Sequence, residues 1–204
     1  MKGKVIASVK NFSEVSKVLR VVDGVEFRID LFRKLPEPKR VRIEKISIVT
    51  IRKPEDGGKF IGREEERMKL LENYSKFCDY VDLEYYLADE VFEKMSCKVI
   101  ESYHNFNETP DYDFLKGIVE NRRGDIVKIA TVGKSKKDVE RIVKLLCDYE
   151  NVVAFLMGEE FSFTRVFSLF LGSPFIYCGV GEGVAPGQYD VFKAVKILKE
   201  LGYR

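Results

Sequence analysis

The chain has no tryptophan, one histidine, one glutamine and four cysteines in 204 residues. With a single imidazole, and with Cys78, Cys97, Cys147 and Cys178 scattered and no Cys-x-x-Cys pair among them, a structural zinc site has no ligand set to draw on. The cysteines read as reduced, mostly buried thiols. No apolar run reaches the length of a membrane span. The segment Met1-Lys2-Gly3-Lys4-Val5-Ile6 leads straight into a strand pattern, so the expected compartment is the cytoplasm. Charge of one sign is lacking too. The formal net charge is +2 and no long basic run occurs, which excludes the electrostatic footprint of a nucleic-acid binder.

What the chain has is alternation. Short β-rich runs fall at Lys4–Lys10, Gly24–Asp30, Lys45–Arg52, Tyr80–Tyr86, Lys98–His104, Ile126–Val132, Val152–Gly158 and Phe175–Val180. Between most of them lie helical patterns with apolar residues three and four apart, as in Glu64–Phe77, Asp111–Asn121, Lys136–Tyr149 and Gln188–Leu201. Ser13 and Ser135 are the candidate N-caps of two helices. Pro36 and Pro38 restrict the stretch between Asp30 and Lys45 to a short helix or an irregular turn. Alternation of strand and helix gives a parallel sheet. Eight repeats in this length predict one compact α/β domain over residues 1–204, a closed (β/α)8 TIM barrel. An open doubly wound sheet is the alternative, but no glycine-rich dinucleotide fingerprint opens an early helix.

Barrels carry their chemistry at the C-terminal ends of the strands, and the polar residues of this chain collect there. Glu26, Arg28 and Asp30 alternate along the second strand and share a face. Thr50 with Arg52, Asp82 with Glu84, and Ser102 with His104 do the same on the next three strands. Lys128 shares the interior face with Ile126 and Ala130 if Val127 and Ile129 meet the helices. Arg165 follows the seventh strand. The glycine-rich loop from Gly179 to Gln188 after the eighth suits a lid, a phosphate cradle or a plain connection.

His104 and Lys128 carry the most chemistry. Imidazole passes protons near neutral pH, and an amine held among apolar neighbours loses its charge more readily and turns nucleophilic. Taken singly, a lone histidine is commonly a hydrogen-bonded structural residue, and a strand lysine commonly snorkels to an edge. Together, near the ends of successive strands, they point to carbonyl chemistry through a Schiff base.

The segments Glu26-Phe27-Arg28-Ile29-Asp30, Thr50-Ile51-Arg52 with Gly57-Gly58, and Asp82-Leu83-Glu84 resemble those of the type I 3-dehydroquinate dehydratases. So do Ser102-Tyr103-His104-Asn105-Phe106, Lys128-Ile129-Ala130, Gly172-Ser173 and Ala185-Pro186-Gly187-Gln188, so the resemblance runs across nearly the whole chain. It implies a hydro-lyase (EC 4.2.1.10) that removes water from 3-dehydroquinate in the shikimate pathway of aromatic amino-acid biosynthesis. It implies His104 as general acid/base and Lys128 as the imine lysine. Glu26, Arg28, Arg52, Arg165 and Gln188 would bind the substrate's hydroxyls and carboxylate, with no cofactor or metal, in a homodimer. Two departures stand out. Val184 occupies the place of a common serine, and Asp56 that of a glutamate that orients the histidine. Glu84 is a second supporting carboxylate, or else half of a structural ion pair. The competing readings are another Schiff-base barrel, such as a class I aldolase acting on a phosphorylated sugar, and a ligand-binding barrel without catalysis.

Overall fold

The computed structural model describes residues 2–181, 185 and 187–203. Eight strands form where the alternation predicts them: β1 (Lys4–Val9), β2 (Gly24–Arg28), β3 (Ile46–Thr50), β4 (Tyr80–Glu84), β5 (Lys98–Asn105), β6 (Ile126–Val132), β7 (Val152–Met157) and β8 (Phe175–Cys178). Several end one or two residues earlier than the apolar runs do. The reason is visible after β2, where Ile29–Leu31 coils into a 3-10 turn. Asp30 therefore leaves the strand and reaches back to Arg28 from the turn.

All the pairings are parallel, in the order β7-β6-β5-β4-β3-β2-β1-β8. The remaining seam, between β7 and β8, is covered by α6 (Phe163–Phe170), which packs on both strands. The other helices are α1 (Phe12–Val18), α2 (Glu64–Ser75), α3 (Asp89–Glu93), α4 (Tyr112–Glu120), α5 (Lys136–Asp148) and α7 (Val191–Glu200). The proline-bearing stretch before β3 holds the single 3-10 turn Pro38–Val41, short as proline dictates.

The cap of α1 differs from expectation. Asn11, not Ser13, has the extended backbone of an N-cap, and its side chain accepts from the Glu14 amide. Ser13 instead donates to Asn11 Oδ1 at 2.7 Å. At α5 Ser135 caps as expected, in a reciprocal box with Asp138.

Because side chains alternate across each strand, register decides what the barrel interior contains. Ile6, Ile48, Ile100, Ile126, Val153 and Phe175 form an apolar floor inside the barrel. Gly24 belongs to the same level, where a Cβ would come within 2.8 Å of the Ile6 Cδ1 methyl. The opposite faces of the strands, among them Val25, Phe27, Val49, Val127 and Ile129, pack outward under the helices. Two residues further along, the inward positions of every strand but β7, which places Phe155 there, turn polar. The pairs Ser8 with Glu26 and Ser102 with Lys128 sit side by side there. An aliphatic floor beneath a charged mouth is what positions the site.

Candidate active site

Lys128 projects inward from β6 beside Ser102 of β5, with Ile126 and Ala130 on its own face and Val127 and Ile129 outside, as expected. Its aliphatic isolation, however, exists only along the chain. In space its Nζ lies 3.0 Å from Asp82 Oδ2 and 3.8 Å from Glu26 Oε1. The ring of Tyr177 lies beneath it, with the centroid 4.4 Å away. Asp82 is the hub of this cluster, accepting from Ser102 Oγ at 2.6 Å and pairing with the Arg52 guanidinium. Burial alone would raise the Asp82 carboxyl, but the Arg52 and Lys128 charges override it and hold it well below the usual carboxylate range. Glu26 is held low in the same way: burial is outweighed by Lys128 and Arg28.

His104 ends the inward row of β5, partly open to solvent at the barrel mouth. The Arg52 guanidinium lies against its ring, with Nη1 3.1 Å from Nδ1. A guanidinium can only donate, so the imidazole accepts in its neutral form. Withdrawal from water, and then the Arg52 and Lys128 charges, push its pKa well below the ordinary value. Phe106 stacks on the imidazole with ring centroids 6.2 Å apart. The loop after β3 closes over the pair through two glycines. Gly57 takes φ +79° against the Phe106 ring, and at Gly58 a Cβ would overlap the Arg52 carbonyl.

Two supporting residues sit differently from expectation. Asp56 lines the cavity but accepts a hydrogen bond from Tyr86 Oη, so its partner is that phenol rather than His104. The shorter aspartate stops at the mouth. Glu84 is locked in a two-pronged pair with Arg67 of α2, at 2.8 and 2.9 Å, which makes it the structural ion pair of its two readings. Arg67 had not been singled out, yet it left a trace. It sits on the buried face of α2 with Leu71 and Tyr74, at helical spacing.

Around Lys128 and His104 opens a small cavity at the barrel mouth. Glu26, Arg28, Arg52, Arg165 and Gln188 all line it. Arg28 is held in a fork by Asp30 at 3.0 and 2.8 Å. Arg165 enters from α6, buried, with its guanidinium 4.1 Å over the Phe155 ring, and burial pushes its pKa down to about 10. Gln188 Nε2 approaches Ser8 Oγ at 3.4 Å, and Ser8 in turn donates to Glu26 at 2.5 Å. Val184 lies outside the described residues. Asp82, weighed with Glu84 as a structural ion pair of the mouth, pairs with Arg52 and Lys128, while Ser8 and Tyr177 had been given no role; their signal is that each falls on an inward-facing strand position.

The arrangement brings a lysine, a neutral imidazole and three arginines to one mouth, which suits imine chemistry on an anionic carbonyl compound. Among the described residues no cluster of three or more His, Cys, Asp or Glu side chains is arranged for a metal ion. The family model described as type I 3-dehydroquinase matches residues 5–203. A 3-dehydroquinate dehydratase of Archaeoglobus fulgidus is 52% identical, with 98% of this chain and 100% of that protein aligned. The corresponding protein of Methanopyrus kandleri is 35% identical over 92% of each. The crystal structure of 3-dehydroquinate dehydratase from Aquifex aeolicus superposes with a TM-score of 0.79 at 26% identity, covering 96% of this chain and 97% of that one. The type I enzyme from Clostridium difficile gives a TM-score of 0.85 at 21% identity, covering 99% and 92%, and speaks to the fold. The chain belongs to the type I 3-dehydroquinase family.

Proposed function

We propose that the family's reaction, removal of water from 3-dehydroquinate to give 3-dehydroshikimate, runs in this chain through an imine on Lys128 with His104 as the proton carrier. The observation that carries this reading is the convergence of the two side chains, from neighbouring strands, on one cavity that Arg165 also enters. The hard step is removal of a proton next to the ketone. The neutral amine of Lys128 adds to the ketone and water leaves, and the resulting iminium accepts the electrons of the broken C–H bond as an enamine. The enamine then expels the β-hydroxyl, and hydrolysis of the product imine frees the lysine.

His104 is suited to the proton steps because it is held neutral and therefore starts as an acceptor. It takes the Lys128 proton before attack and hands it to the oxygen that leaves as water, then removes the proton alpha to the imine carbon and returns it to the departing hydroxyl. Arg165 pairs with the substrate carboxylate through two parallel hydrogen bonds. That pairing offsets the burial of its charge. Glu26, Arg28, Arg52 and Gln188 hold the ring hydroxyls and the carboxylate from the other side of the cavity. Enone absorbance appearing when 3-dehydroquinate is added to pure protein tests the reaction, and its absence overturns the reading.

The same reading implies a homodimer. Phe163, Phe167 and Phe170 support it, since they leave one stripe of α6 between 43% and 47% exposed. Sedimentation of the pure chain tests this, and a monomer at micromolar concentration refutes it. A cytoplasmic setting is supported by four cysteines that stand as free thiols. No helix among the described residues is long and apolar enough to cross a membrane.

A further inference from the structure

Tyr177 stands on β8 at an inward position beside Ile6 of β1, and its ring is the face over which the Lys128 ammonium rests. The residue is 3% exposed and lines the cavity. Its hydroxyl is buried with no hydrogen-bond partner among the described residues. A phenylalanine would provide the same ring face beneath the ammonium without burying a polar atom. The uncompensated hydroxyl therefore weakens the resting fold, and such a cost is the usual mark of a group that acts when ligand is bound. The surrounding groups narrow down what the ligand atom can be. Glu26 and Asp82 are the nearest negative charges, and with burial they keep the phenol protonated, so at neutral pH it has a proton to donate.

We infer that Tyr177 is a further catalytic residue of the Lys128 imine reaction, whose hydroxyl donates a hydrogen bond to the substrate's ketone oxygen as Lys128 attacks. This rests on the reading of Lys128 as the imine lysine. As the nitrogen–carbon bond forms, the carbonyl π electrons move onto that oxygen, which becomes the hydroxyl of a carbinolamine and then leaves as water. A donor on a residue of the cavity lining, beside the Lys128 amine, stabilises the charge that develops there, as oxyanion-hole donors do. It is not used up. Both protons that leave with the oxygen come from the Lys128 ammonium by way of His104, and Tyr177 keeps its own.

The test compares Tyr177→Phe with the intact enzyme in single turnovers with 3-dehydroquinate, quenched by sodium borohydride at successive times and read by intact mass. In Tyr177→Phe the reduced adduct should form at least about a hundredfold more slowly, the low side of the loss expected for an oxyanion donor. The ligand-free variant should melt at the same temperature as the intact protein or higher, since an uncompensated buried hydroxyl has gone. Slower trapping in a protein that is no less stable is a combination a structural role cannot give. Adduct formation at the intact rate in Tyr177→Phe overturns the inference, as does a slowing seen only in Tyr177→Leu, which would assign the effect to the ring. If the intact protein forms no adduct on Lys128, the reading of Lys128 fails first, and the two failures stay distinguishable.

Discussion

The Nζ of Lys128 lies 3.0 Å from Oδ2 of Asp82, and the other carboxylate oxygen of Asp82 is held by Arg52 and by Ser102 Oγ. From β4, one aspartate thus joins side chains of β5, β6 and the segment just after β3 across the barrel mouth. Consequences for both chemistry and stability follow from that shared partner.

Borohydride added with 3-dehydroquinate should inactivate the protein and leave a covalent adduct on Lys128, and peptide mass spectrometry locates it. An adduct on any other lysine would refute the assignment. Lys128→Met should abolish trapping. It should also lower unfolding stability by about 1–3 kcal/mol, because Asp82 and Glu26 lose a buried donor. Chemical denaturation checks the second half, and a variant as stable as the intact protein would show that the pair contributes nothing.

The single histidine makes its own titration readable, since one imidazole resonance can come only from His104. That resonance should titrate well below pH 6.5 in the folded protein. The unfolded chain then binds the proton first, so the contribution of His104 to stability is full above about pH 6.5. It is lost as the pH falls toward the folded value. Arg52→Gln removes the strongest of the three cations, Arg52, Lys128 and Arg28, that depress the imidazole and should move the titration upward; an unmoved midpoint means that the Arg52 charge does not set it.

Removing the imidazole tests its chemistry directly. His104→Ala should lose at least ~10²-fold in turnover, the floor for a positioned acid–base group, while some imine still forms and accumulates as a stable adduct. A variant that keeps a tenth of the activity would reduce His104 to a structural role.

Arg165→Ala should chiefly weaken substrate binding. Losing a two-pronged charge-assisted pair costs roughly 1.5–3 kcal/mol, about ten- to a hundredfold or somewhat more in affinity. An unchanged Michaelis constant would move the carboxylate to Arg52, one of the two other buried guanidiniums in the cavity.

Arg67→Met should be the most damaging change outside the cavity. It leaves the fully buried Glu84 without its fork, a loss of about 3–5 kcal/mol. The double change Arg67→Met with Glu84→Gln should recover part of that, because no stranded charge remains. A double variant as unstable as the single one would trace the loss to packing.

The strand-to-helix alternation, the inward rows of polar residues and the placement of Lys128 and His104 on inward strand positions were legible in the sequence. All of them follow from periods local to each element: two residues along a strand and about 3.6 around a helix. Strand ends were less legible, because an apolar run continues after the backbone has turned, as Ile29–Leu31 does. The α1 cap was misread for a similar local reason. Asn11 and Ser13 are both capping residue types, and only backbone conformation separates them.

By itself, then, the sequence determined that this is a parallel barrel and which side chains face its mouth. Which charge meets which was decided by closure of the barrel. Lys128 looks isolated among aliphatics along the chain, yet it meets Asp82 and Glu26 from strands far away in sequence. Asp56 was expected beside the histidine and meets Tyr86, while Glu84 is claimed by an arginine from a helix. These partners depend on strand register and on where each loop lands. Coulomb and hydrogen-bond energies fall off within a few ångströms, so spacing along the chain cannot report contacts made across it.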